Sequence, residues 1–347
     1  MLPQFELQAK RRMQHVKRRR QEQRTRVAVM VFGVICLLGV LIFSNVYIIY
    51  RHQPSPNGDN VVANSNNNDP NSNINNSNVR RRNVWIGKDA QPFNQDQSAS
   101  KSHHLIMVAG HSVTVSGDLE DADHDEKDWF LLEYQKGKGL PEVIIAHIKR
   151  GIQEADQDPN SLLIFSGGET RGATGPNTEA ASYFNVADAM TLWKGTVRAR
   201  TAAEEFATDS FQNLMFSICR FHEVTGSYPT KITVISFSFK GPRFETMHAR
   251  ALGWPADKFV FVGVDPPAST TGFDLEASTR GEYENAAKPF ETDPYGCHSA
   301  VLQEKRKARN PFSRTPPYEL TCPEMKSLLN YCGPKLFPRE ELPWRNL

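Results

Sequence analysis

Apolar residues along this chain follow two unlike patterns. Between residues 27 and 50 they form one uncharged run, VAVMVFGVICLLGVLIFSNVYIIY, whereas after residue 103 they come in short blocks separated by segments of helical period. At about 1.5 Å per residue the first run is long enough to cross the roughly 30 Å hydrocarbon core of a bilayer. Tyr47 and Tyr50 sit where an interfacial belt would place them. The run therefore reads as a transmembrane helix; a cleaved signal peptide would have an apolar region of only about 7–15 residues.

The second pattern predicts an α/β domain. HLIMVA at 104–109, LLIFS at 162–166, ITVISFSF at 232–239 and KFVFVGV at 258–264 are apolar blocks of strand length. Between them, Ile144, Ile148 and Ile152 recur at i, i+4 and i+8 in a predicted helix over 142–155. Further helices are predicted over 178–193, 198–223 and 243–252. Strands apolar on both faces that alternate with amphipathic helices imply a doubly wound, mostly parallel, Rossmann-like sheet with helices on both faces. That domain occupies residues 103–347, including a carboxy-terminal extension. In such a sheet the ligand lies beyond the carboxyl ends of the strands.

Charge divides the chain more sharply than its formal net of +2 suggests. Residues 1–26 hold nine Lys and Arg against Glu6 and Glu22. The positive-inside rule leaves this tail in the cytosol and the larger part in a lumen, a single-pass type II arrangement in the Golgi or endoplasmic reticulum. Residues 51–102, with ANSNNNDPNSNINNSN at their centre, hold little that could build a core and read as a flexible stalk. The stalk carries the sequon Asn75-Asn76-Ser77 and a basic cluster at Arg80, Arg81 and Arg82.

Of the five cysteines, Cys36 lies in the apolar run and Cys219 in a predicted helix. Two of Cys297, Cys322 and Cys332 can pair in an oxidising lumen, and spacing favours Cys322 with Cys332. No CxxC or zinc spacing is present, and the acidic run 118–126 lacks the glycine and glutamate of a calcium loop, so no metal is expected.

Candidate chemistry gathers at the predicted sheet rim. Ser166, Gly167 and Gly168 follow the second strand, and paired glycines let a ligand approach backbone N–H groups. Arg171, Lys240 and Arg243 supply a guanidinium fork and an ammonium of the kind that holds phosphate. Glu179 begins a helix as a candidate general base or a stabiliser of its first turn. His111 follows Gly110 at the first strand's end, and Ser210 and Asn213 stand one helical turn apart. Arg243 is expected to bear on ligand affinity much more than on the fold.

The order of these segments resembles the domain-of-unknown-function 218 family over about residues 104–265. Val108-Ala109-Gly110-His111, Ser166-Gly167-Gly168 with Thr178-Glu179-Ala180, Ser210 with Asn213, and the segment ending at Arg243 correspond to its four elements. Lys240 stands where that family usually has histidine, and Ala207 where it usually has serine. The resemblance implies a role in envelope or surface biogenesis and no defined reaction. The expected partners are the membrane and a phosphorylated or otherwise anionic small molecule, or a glycan or lipid-carrier intermediate, and not nucleic acid; no cofactor is named by the residues. The alternative is a non-catalytic lumenal receptor or scaffold that keeps the fold.

Overall fold

Four of the apolar blocks become strands of one sheet. They form β1 (His104–Ala109), β2 (Ser161–Ser166), β4 (Lys231–Ser236) and β5 (Phe259–Gly263), and every residue of β1 and β2 is buried. The computed structural model describes residues 99–347 apart from 268, 269 and 271. The basic tail, the apolar run and nearly all of the stalk lie outside the described residues. Among the described residues no helix is long and apolar enough to cross a membrane.

A fifth strand, β3 (Thr201–Glu204), pairs with β2 at one edge. It corrects the long helix predicted over 198–223, which splits into this strand and α3 (Ser210–Thr225). Thr-Ala-Ala-Glu has no strand pattern of its own, so tertiary pairing decides its state. Arg200 secures the edge from below, donating to the Ser161 carbonyl at 2.6 Å and to the Ala155 carbonyl at 2.8 Å.

All pairings are parallel, in the order β3-β2-β1-β4-β5. Side chains alternate between two cores, Leu105 and Met107 toward one, Ile106 and Val108 toward the other. Against the second core pack α1 (Leu140–Gln157) and α2 (Glu179–Ala189), with Ile144, Ile148 and Ile152 of α1 fully inside. Each such buried side chain contributes about 1.5–3 kcal/mol. Gly151 lets α1 close on β1, since a Cβ there would lie 2.5 Å from Val108 Cγ2.

The predicted helix over 243–252 is instead a wide π turn, Arg243–His248, that tightens into α4 (Ala249–Ala251). After β5 come α5 (Leu275–Glu282), α6 (Lys288–Thr292), α7 (Ala300–Ala308), α8 (Tyr318–Thr321) and α9 (Lys326–Leu329). The first core takes in α3 together with Tyr318, Met325 and Leu328 of this extension.

The disulfide joins Cys297 to Cys332, correcting the pairing that spacing favoured. Cys322 is close to Cys332 in sequence but points into the core, where Tyr228 Oη lies 3.4 Å from its Sγ; Cys219 is buried and free as well. The bridge spans 35 residues.

Candidate functional site

A strand order that runs outward from β1 in both directions leaves a crevice beyond the carboxyl ends of β1 and β4, the place where open α/β sheets bind ligands. A cavity of about 670 Å³ opens there. Gly110, His111, Arg171, Glu179, Ser210, Asn213, Lys240 and Arg243, all expected at the rim, line it.

Ser166, Gly167 and Gly168 stand behind this wall. The Gly167 N–H donates to the Glu204 carbonyl at 3.0 Å and the Gly168 N–H to the Ala207 carbonyl at 2.8 Å, so both amides are committed to the fold. The glycines are needed for space: a Cβ on Gly167 would lie 2.5 Å from Glu179 Oε2, and one on Gly168 2.9 Å from the Ala207 carbonyl oxygen. Ser166 Oγ donates to Glu204 at 2.6 Å, and Asn213 Nδ2 donates to the Ser166 carbonyl at 3.1 Å. Burial lifts Glu204 to about 7 against the donors Ser166, Phe206, Tyr318 and Ala207. The Tyr318 hydroxyl, 3.1 Å from Glu204, ties α8 to the edge strand.

Glu179 begins α2, where Thr178 caps the helix by accepting from the Ala181 N–H at 3.0 Å. Its Oε1 accepts from the Thr170 hydroxyl at 2.6 Å, which fixes the carboxylate at the cavity wall. Across the cavity His111 accepts at Nδ1 from Lys240 Nζ, 3.2 Å away. An ammonium has only donors, so the proton of the neutral ring sits on Nε2, 3.4 Å from Ser236 Oγ. Burial, then repulsion from Lys240, holds His111 well below the usual histidine range. Burial also pulls Lys240 down to about 8.

Arg243 differs from Lys240 because a carboxylate of the protein holds it. Its Nε pairs with Glu282 of α5, its Nη1 donates to Ser210 Oγ, and the group is buried. Ser210 Oγ also lies 2.8 Å from His248 Nε2. The π turn makes this convergence possible by bringing Arg243 and His248 to the same side, 3.4 Å apart at Nη1 and Nε2.

Arg171 shows the opposite condition. Its Nε is buried without a hydrogen-bond partner, and its two other contacts, to the Thr170 and His111 carbonyls at 3.4 and 3.5 Å, are long. Residues beyond β5 complete the basic lining: Lys305 on α7 and Arg309 at its end, with Lys138 entering from the loop before α1. Six Lys and Arg thus face three carboxylates, Glu179, Asp209 and Glu282. Two of those acids are already held, Asp209 by Arg306 at 2.6 Å and Glu282 by Arg243. Phe237, Phe239, Phe244, Phe273 and Phe290 add an apolar part to the lining. Lys305, Arg309 and Glu282 carry no local motif and were not singled out from the sequence; only the fold brings them to the rim.

No family model matches the chain, and no solved structure matches it. A curated relative does: the uncharacterized protein YOR238W of Saccharomyces cerevisiae (strain ATCC 204508 / S288c) is 32% identical over 264 residues, which span 62% of this chain and 86% of the relative. The chain belongs to the same family as that yeast protein.

Proposed function

We propose that this α/β domain binds a phosphorylated or otherwise anionic small molecule in the cavity at its sheet rim. The observation that carries the reading is the unpaired basic lining: among the described residues Arg171, Lys240, Lys305 and Arg309 have no carboxylate within ion-pair distance, and Arg171 Nε has no partner at all. A guanidinium fork that faces a partly desolvated cavity is suited to bidentate contact with phosphate. The resemblance to the domain-of-unknown-function 218 family supports the same location. Glu179 and His111 share the cavity with these cations, which favours an enzyme-like site over a receptor that has kept only the fold.

The test is thermal unfolding of the purified full-length chain with inorganic pyrophosphate. Binding to the native state raises the midpoint by mass action. Arg171→Ala removes charge-assisted hydrogen bonds worth about 1.5–3 kcal/mol, so affinity is expected to fall about tenfold to a hundredfold. Equal affinity in the two proteins would take Arg171 out of the site.

The setting is a lumen, with the 27–50 run as anchor. A basic tail before that run supports it. The Cys297–Cys332 bridge supports an oxidising compartment. A glycosylation reporter fused to the carboxy terminus is expected to carry an enzyme-removable sugar; an unmodified reporter together with a protease-protected amino terminus would reverse the orientation.

A further inference from the structure

Lys240 differs from the other cations of the cavity in what it touches. Its Nζ is hydrogen-bonded to an imidazole, His111 Nδ1 at 3.2 Å, and lies 5.1 and 6.0 Å from the ring centroids of Phe237 and Phe239. Among the described residues no carboxylate pairs with it, although the side chain opens into a cavity of about 670 Å³. Lysine amines in apolar surroundings or beside other cations become nucleophiles, because both conditions favour the neutral form.

We propose that Lys240 is an imine-forming nucleophile for an anionic aldehyde or ketone held in this cavity, with His111 relaying the proton. The inference rests on the anion-binding reading above and adds the reactive group of the ligand. The lone pair of the neutral Lys240 amine attacks the carbonyl carbon, and the C=O π pair moves to oxygen. The two protons of the new C–N nitrogen leave in turn through His111 Nδ1: the first passes to the alkoxide oxygen to give the carbinolamine hydroxyl, and the second to that hydroxyl, which departs as water while C=N forms. Amine and carbonyl give imine and water, with no oxidant or reductant. An imidazole whose basicity burial has lowered is a strong acid once it holds the proton, which suits the expulsion of water.

Charges around Lys240 act in both directions. Glu282 of α5 and Glu179 of α2 favour the ammonium, while Arg243 of the π turn and Arg309 at the end of α7 oppose it. His111 and His147 of α1 are held neutral by burial. With Lys240 near 8, roughly a tenth of the amine is neutral at pH 7, about 300-fold more than for an ordinary lysine.

The experiment treats the full-length chain at pH 7 with pyridoxal 5′-phosphate, an aldehyde that carries a phosphate, then with borohydride, and maps the reduced adducts by peptide mass. Lys240 is expected to trap the probe at least about 30-fold faster than the exposed Lys149. Its rate should climb with pH and level off above about 8, whereas that of Lys149 keeps rising. Lys240→Arg should remove the adduct, and His111→Gln should slow its formation about tenfold, consistent with the lower end of general acid–base effects. The unliganded unfolding midpoint of each variant reports whether it folds. Trapping at Lys240 no faster than at Lys149, in a wild-type chain that pyrophosphate stabilises, overturns the nucleophile and keeps the anion site. Preferential trapping at Lys240 without pyrophosphate stabilisation keeps the nucleophile and overturns the anion site.

Discussion

Arg243→Ala is expected to lower the free energy of unfolding by about 3–5 kcal/mol, the range for removing one partner of a buried ion pair. The side chain is buried, its Nε pairs with Glu282, and its Nη1 serves Ser210. Truncation leaves the Glu282 carboxylate, itself nearly buried, without its ion-pair partner. Glu282→Ala should cost a comparable amount, since it strands the guanidinium. The double variant should lose less than the sum, because neither charge is then left alone. Arg243→Lys should recover only part of the loss, for an ammonium cannot serve Glu282 and Ser210 with the same fork. Urea midpoints of the wild type and the four variants measure this. A shift within about 0.5 kcal/mol for Arg243→Ala would return the residue to the role expected from sequence, a ligand group with little bearing on the fold.

Gly168→Val is the second change with a large expected effect, a destabilisation of about 3 kcal/mol or more, at the upper end for overpacking. Its added Cβ would lie 2.9 Å from the Ala207 carbonyl oxygen and 3.2 Å from the Glu205 oxygen and the Phe206 carbonyl carbon. All three are backbone atoms, which cannot swing aside as a side chain would. The same shift would break the bond from the Gly168 N–H to Ala207, and with it the seam between the turn after β2 and the loop after β3. The loss should be visible in the unliganded midpoint. A variant with an unchanged midpoint and reduced pyrophosphate affinity would mean that the glycine faces the ligand after all.

These expectations show where sequence was legible. The blocks HLIMVA and LLIFS are apolar at every position but the ends, and a strand buried on both faces has no other pattern. Gly110, His111, Gly167 and Gly168 were legible for a related reason, since they follow those strands directly. Thr201–Glu204 carried no such signal because its state is fixed by pairing with β2. Nor could spacing distinguish an α turn from the π turn at Arg243–His248, which differ by one residue in their hydrogen bonding. The glycine pair was noticeable as a motif, yet the same residues serve close backbone approach to a ligand or to another loop. Cys297 with Cys332 was hidden for the reason Lys305 and Arg309 were: distance along the chain says little about distance across an extension that folds back on the sheet.

Lys305, Arg309 and Phe290 of the cavity wall come from chain that follows the last strand. On a ribosome, therefore, all five strands are made before the wall that closes the pocket. A product truncated by a premature stop after β5 would retain every strand and the SGG turn while presenting an open trough to solvent. If the proposed ligand binds there, its occupancy would report that synthesis had passed Arg309, a distinction that the presence of the sheet alone could not make.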